Sequence, residues 1–236
     1  MMNTSKTIYS LLIAFALFAG QGQAATIALE TFEGGANDWL SASSGAVDTN
    51  ATGGHDGGAY ISFSGDVATT TASFGSALVE FRCQSSACQT SNADFMGDWL
   101  AQNVTSFSYW FKHDAAVSLE AYLRVGVVSG VGGGAGSAIT GIEMAPNTWY
   151  QITVDVAESS WDPTFGGKTY NHIFTQVGKL QPGIFFPFGE VYSETDVTFS
   201  LDDVRLTAVP VPGAVWLMGS ALGMLGWMRR KSMRAS

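Results

Sequence analysis

Apolar and polar residues alternate with a period of two over much of residues 27–207. In TSFSYWFKH, Phe107, Tyr109 and Phe111 fall on one side of an extended segment, and Ser106, Ser108, Trp110 and Lys112 on the other. AVSLEAYLRVGVV sets Val117, Leu119, Ala121, Leu123, Val125 and Val127 opposite Ser118, Glu120, Tyr122, Arg124 and Gly126. WYQITVDVA and VTFSLDDVRLTAV repeat the pattern. Successive side chains of a strand point to opposite faces, so each segment predicts a strand with one buried face. The turn-forming clusters TNATGGHDGG, SGVGGGAGS and DPTFGGK separate these segments, and no long segment carries the helical period. Many short strands joined by glycine-rich turns predict an all-β fold, an antiparallel β-sandwich of jelly-roll type. The irregular residues 83–103 predict a long loop, the kind of insertion that often carries function.

Both ends break the alternation. Lys6 precedes an apolar run at residues 8–19, followed by small and polar residues that place Gly22 and Ala24 before a cut after Ala24. That layout predicts a secretory signal peptide over residues 1–24, since the run is too short for a stable membrane span. At the other end, residues 211–228 carry no charge, and Arg229, Arg230 and Lys231 follow at once. Eighteen such residues are just enough to cross a bilayer, and the cationic flank belongs on the cytoplasmic side. The expected organisation is therefore a signal peptide, a β-domain over residues 25–208, and a C-terminal segment over residues 209–236. Export by the Sec route would hold the protein transiently in the inner membrane with its C-terminus in the cytoplasm. Delivery to the cell surface or extracellular matrix would follow.

Charge sharpens this picture. Residues 25–208 hold six basic residues against all twenty acidic ones, a net of −14. Such a domain repels nucleic acid and anionic lipid and suits neutral glycans, divalent cations or plain solubility. The two cysteines, Cys83 and Cys88, stand in FRCQSSACQTSN with no His or further Cys nearby in sequence. In an oxidising compartment they predict a short-loop disulfide rather than a metal site.

The order Val209-Pro210-Val211-Pro212, apolar span, then Arg229, Arg230 and Lys231 resembles the PEP-CTERM sorting signal of Gram-negative bacteria. The resemblance implies an exosortase-type membrane protease as partner, cutting near the prolines. Val211 stands where the name-giving motif has Glu, which leaves the place of cleavage open. A second resemblance covers the β-domain. TFEGGANDW, GGHDGGAYISFSG, NTWYQITVDVAESSW and SLDDVRL, in that order, resemble strands of galactose-binding-like jelly-roll carbohydrate-binding modules. That resemblance implies a structural Ca²⁺ held by Glu33 and one or both of Asp202 and Asp203, with carbonyls of residues 53–58. Calcium takes six to eight hard oxygen ligands, and clustered carboxylates repel one another without a cation.

Polysaccharide binding needs aromatic rings on the polar side of strands. Trp110 and Tyr122 meet that requirement, and if their strands pair the two rings share one face. Trp99, Trp161 and Tyr192, in expected loops, would rim the site, whereas Trp39 and Trp149 are expected in core or edge packing. Catalysis is the weaker class. The histidines His55, His113 and His172 form no HExxH, no GxSxG elbow is present, and no compact acidic motif marks a glycosidase. The sequence therefore predicts a secreted, non-catalytic polysaccharide-binding protein. The alternatives are a structural matrix protein without a defined ligand and, less favoured, a glycan-active enzyme.

Overall fold

A computed structural model describes residues 23–41, 43–68, 76–84, 95–127, 134–165, 167–186 and 191–209. The expected signal peptide (but for residues 23 and 24), the membrane span and its cationic flank lie outside these residues, as does Cys88. Among the described residues no helix is long and apolar enough to cross a membrane.

Among the described residues the chain forms thirteen β-strands: β1 (Ala25–Glu30), β2 (Leu40–Ser41), β3 (Asp48–Asn50), β4 (Tyr60–Ala68), β5 (Ser76–Val79), β6 (Phe81–Gln84), β7 (Val104–His113), β8 (Leu119–Val127), β9 (Ala135–Met144), β10 (Tyr150–Asp155), β11 (Asp162–Phe165), β12 (Val177–Phe186) and β13 (Ser193–Ala208). A short helix, α1 (Tyr170–Phe174), precedes β12 and is capped by Thr169, whose side chain accepts from the His172 amide. Two antiparallel sheets result. The six-stranded sheet runs β10-β7-β13-β4-β3 with β1 also on β13; the seven-stranded sheet runs β11-β9-β8-β12-β6-β2 with β5 also on β12.

The alternation in the sequence is the alternation of the fold. Phe107, Tyr109 and Phe111 of β7 meet Ile61, Ile152, Phe199 and Leu201 in one core with Leu119, Ala121, Leu123 and Val125 of β8. Phe81 of the seven-stranded sheet packs edge-on against Phe63 and Phe111 of the other, at 5.2 and 5.9 Å between ring centres. The Tyr109 hydroxyl crosses the sandwich to donate to the Tyr122 carbonyl at 3.1 Å. That bond satisfies a polar atom which burial would otherwise penalise. Residues 95–103, expected to be loop, are mostly turn, and two of their side chains pack inward: Phe95 and Trp99 are buried, Trp99 against Phe107 and Phe174.

β5 and β6 lie end to end along the same edge of β12, and Glu80 stands at the step between them, its amide donating to the Pro182 carbonyl at 3.0 Å. Glu80 is buried, and burial pushes its carboxyl up to about 8. The folded protein keeps that proton up to about pH 8, whereas an unfolded chain releases it near 4.5. Stability therefore falls as pH rises through that window. Glu80→Gln removes the effect. Between pH 5 and pH 8.5 the stability difference should move in favour of the variant by about 3–5 kcal/mol, read from urea unfolding of both proteins. Parallel pH profiles would contradict the assignment.

Candidate functional site

The site is built on a glycine-rich turn, Gly53-Gly54-His55-Asp56-Gly57-Gly58, which joins β3 to β4. Gly53 and Gly57 take positive φ of 97° and 91°, a conformation that side chains disfavour. Gly54 and Gly58 are needed for a different reason, close approach. A Cβ on Gly54 would lie 2.5 Å from Asp202 Oδ2, 2.9 Å from the Gly58 carbonyl and 3.1 Å from the Ala59 carbonyl. One on Gly58 would lie 2.7 Å from Glu33 Oε1 and 2.9 Å from Asp56 Oδ1.

Oxygens thus converge on this turn from three parts of the chain. Glu33 Oε1 accepts from the Ala59 amide at 2.9 Å, and Asp56 Oδ1 from the Gly58 amide at 2.8 Å. Asp202 comes from the central strand β13, opposite Trp110 of β7, and is 2% exposed. Its Oδ2 accepts from the His55 amide at 2.9 Å and lies 3.0 Å from His55 Nδ1. One ligand atom each from His55, Asp56 and Asp202 falls within 4.8 Å of the others. The carboxylates of Asp56 and Asp202 and one imidazole form this cluster, with the Gly58 and Ala59 carbonyls close to Gly54 and Glu33 Oε1 close to Gly58. This set fits a divalent cation such as Ca²⁺. Glu33 and Asp202, two of the expected ligands, accept hydrogen bonds from amides of residues 55–59.

Asp203 is placed differently. β13 shifts register between Asp202 and Arg205, and Asp203 takes φ of 47°. Such a bulge re-aims side chains. Asp203 is turned into a two-bonded pair with Arg205, with Nε donating to Oδ1 at 2.9 Å, and it also stands 3.5 Å from His55 Nε2. Both of its oxygens are engaged by the Arg205 guanidinium.

Rings gather beside the turn on the outer face of the six-stranded sheet. His55 stacks on Trp110 at 4.3 Å and 16°. Trp149, just before β10, donates its indole N–H to the Gly53 carbonyl at 3.2 Å and meets Tyr60 edge-on at 5.5 Å. Lys112 Nζ sits over both rings, 4.6 Å from the centre of Trp149 and 5.1 Å from that of Tyr60. Tyr60, Trp110 and Trp149 are all partly exposed, and Ser62, Ser108, Ser200, Gln151 and Thr153 share their sheet face.

The expected ring pair is not formed. Trp110 lies on β7 and Tyr122 on β8, and the chain crosses from one sheet to the other between these strands. Tyr122 is also buried, and burial, against a counteracting hydrogen bond from Ser137, raises its hydroxyl pKa. Trp99 is core, its indole N–H donating to the Phe95 carbonyl. Trp161 is buried with its N–H on the Asp155 carbonyl, and Tyr192 stacks on Phe186 at 5.5 Å. Trp99 and Trp161 are thus buried and Tyr192 is half-buried, away from the Trp110 face. Cys83 is buried on β6; the expected bridge to Cys88 falls outside the described residues. Sequence reading missed His55, Asp56, Tyr60, Lys112 and Trp149. The signal for His55 and Asp56 was present in GGHDGG, where a His-Asp pair sits between glycines.

No protein-family model matches the chain, and neither does any curated protein sequence. Solved structures that the fold resembles include carbohydrate-binding modules, an agarase and the L4b domain of human laminin alpha-2. The CBM22-1–GH10 part of Clostridium thermocellum xylanase 10B, complexed with xylohexaose, superposes with a TM-score of 0.46 at 13% identity over 77% of this chain. The match spans only 28% of that longer chain. The C-terminal family 22 module of the same enzyme gives 0.45 at 11% identity over 81% of this chain and 97% of that one. A family 11 module from Clostridium thermocellum, in complex with a β-1,3-1,4-mixed-linked tetrasaccharide, gives 0.40 at 13% identity, covering 70% of this chain and 82% of that one.

Proposed function

We propose that the protein binds polysaccharide without acting on it, through the outer face of the six-stranded sheet. One observation carries this reading. Tyr60, Trp110 and Trp149, all partly exposed, stand on one sheet face among serines, Gln151 and Thr153. Sugars stack their apolar faces on such rings and turn their hydroxyls to small polar groups, and the acidic domain favours neutral glycans. Lys112 and the Gly53 carbonyl hold the Trp149 ring in place, so less rotamer freedom is lost on binding.

In the same reading Glu33, Asp56 and Asp202, with the Gly58 and Ala59 carbonyls, hold a structural Ca²⁺ that locks the turn beneath these rings. When bound, the ion neutralises the carboxylates; the turn and Asp202 supply the geometry. Support comes from the gathering of His55, Asp56 and Asp202 within 4.8 Å, with Glu33 Oε1 close to Gly58. Calcium should raise the thermal midpoint by roughly 5 °C. Asp202→Asn should abolish that shift and Asp203→Asn should retain it. An unchanged midpoint in the wild-type protein would remove calcium from the account.

Export, the Cys83–Cys88 bridge, the transient inner-membrane anchor and exosortase sorting through Val209, Pro210, Pro212, Arg229, Arg230 and Lys231 belong to the same proposal. They rest on the residue pattern alone. Delivery to the surface or matrix would put the sheet face where polysaccharide is.

Native affinity electrophoresis tests the binding claim, in gels carrying xylan, mixed-linkage β-glucan or the producer's own exopolysaccharide. Retardation is expected in at least one gel. Trp149→Ala or Tyr60→Ala should weaken it by about 1–3 kcal/mol, the scale of ring stacking on bases. Ile139→Ala, exposed on the other sheet, should leave it unchanged. A folded protein that no gel retards would favour a structural matrix role instead.

A further inference from the structure

A cavity of about 40 Å³ opens under α1, away in sequence from the turn and its rings, lined by Gly136, Glu158, Trp161, Tyr170, Ile173 and Phe174. Three of these are aromatic and close to one another. Phe174 lies 4.9 Å from Trp161 at 68° and 4.4 Å from Tyr170 at 32°. The polar ends of two rings are engaged elsewhere: the Trp161 indole N–H donates to the Asp155 carbonyl at 2.8 Å, and the Tyr170 hydroxyl to the Val156 carbonyl at 3.1 Å. What the rings offer the cavity is therefore carbon surface held at fixed angles.

The one charged group of the lining is Glu158, an exposed carboxylate in the short 3-10 turn before β11. It lies close enough for its charge to add to burial in raising the Tyr170 hydroxyl. Gly136 completes the picture. A Cβ there would meet Trp161 Cε3 at 3.4 Å, Phe174 Cε2 at 3.7 Å and Ile173 Cδ1 at 3.9 Å. These are ordinary contact distances, so alanine would fill the space without a clash. A side chain at this position would stand against three of the residues that line the cavity.

We propose that this cavity binds the ammonium head group of a small organic cation. Ring faces attract cations through their quadrupole, and cages of aromatic residues are a common solution for alkylammonium groups. A carboxylate at the lining supplies the counter-charge. The volume suits a head group of a few heavy atoms, since a single water needs only about 10–15 Å³ measured this way. The inference is independent of the glycan face.

The test is titration of the full-length protein, followed by calorimetry and by the Trp161 indole N–H resonance. The probes are choline, its neutral isostere 3,3-dimethyl-1-butanol, and glucosamine. Choline should bind saturably, and the neutral isostere about tenfold more weakly. Gly136→Ala should abolish choline binding, Glu158→Gln should weaken it at least about fivefold, and Trp149→Ala should leave it unchanged. Circular dichroism and the thermal midpoint confirm that each variant is folded. Glucosamine binding alongside choline would identify amino sugars as a source of the ammonium group; choline alone would restrict it to methylated amines. Equal affinity for the neutral isostere, no saturable binding of choline, or undiminished binding in folded Gly136→Ala would each overturn the proposal.

Discussion

The architecture around the site depends on one buried carboxylate. Asp202 sits in the middle of β13, itself the central strand between β7 and β4, with almost no access to water. A charge in that position costs several kcal/mol unless its oxygens are matched by donors. The His55 amide and ring supply the match, so the glycine-rich turn is drawn down onto the sheet. From that contact the rest follows in order. His55 stacks on Trp110, the turn offers the Gly53 carbonyl to Trp149, and Trp149 stands across Tyr60 with Lys112 above them. Ring positions on the outer face are thus set by an acid beneath them.

The two sheets divide the work. The six-stranded sheet presents partly exposed rings with Gln151 and Thr153 to solvent beside a cluster of oxygens. On the seven-stranded sheet Tyr122, though it alternates with core residues, is buried and hydrogen-bonded through Ser137. The core between them is largely aromatic, and large rings bury much area each. That interior also takes in Trp99 and Phe95 from the segment before β7, which is why residues that look like loop furnish core rather than a binding rim.

Period-two alternation made the strands and their buried faces legible. For β7 and β8 every inward residue from Phe107 to Phe111 and from Leu119 to Val127 was assigned correctly, because side-chain direction is a local property of an extended backbone. Val117, just outside β8, is exposed instead. The sheet that a strand joins is not local. Trp110 and Tyr122 alternate in the same manner, yet β7 pairs with β13 and β10 while β8 pairs with β12 and β9. Only long-range pairing decides that. The same limit explains Asp203. Two successive acids on a regular strand would point to opposite faces, and the bulge that brings both near His55 has no clear mark in SLDDVRL. The convergence of Glu33 and Asp202 on the glycine turn, residues far apart in sequence, followed from resemblance rather than from spacing.

The central claim is that glycan meets the face carrying Tyr60, Trp110 and Trp149. The most direct measurement is an NMR titration with xylohexaose or the mixed-linkage tetrasaccharide, reading the seven side-chain indole N–H signals. Binding at this face should move the Trp110 and Trp149 signals in a saturable way and leave the buried Trp39 and Trp99 signals in place. Saturable shifts that spare Trp110 and Trp149 would contradict it.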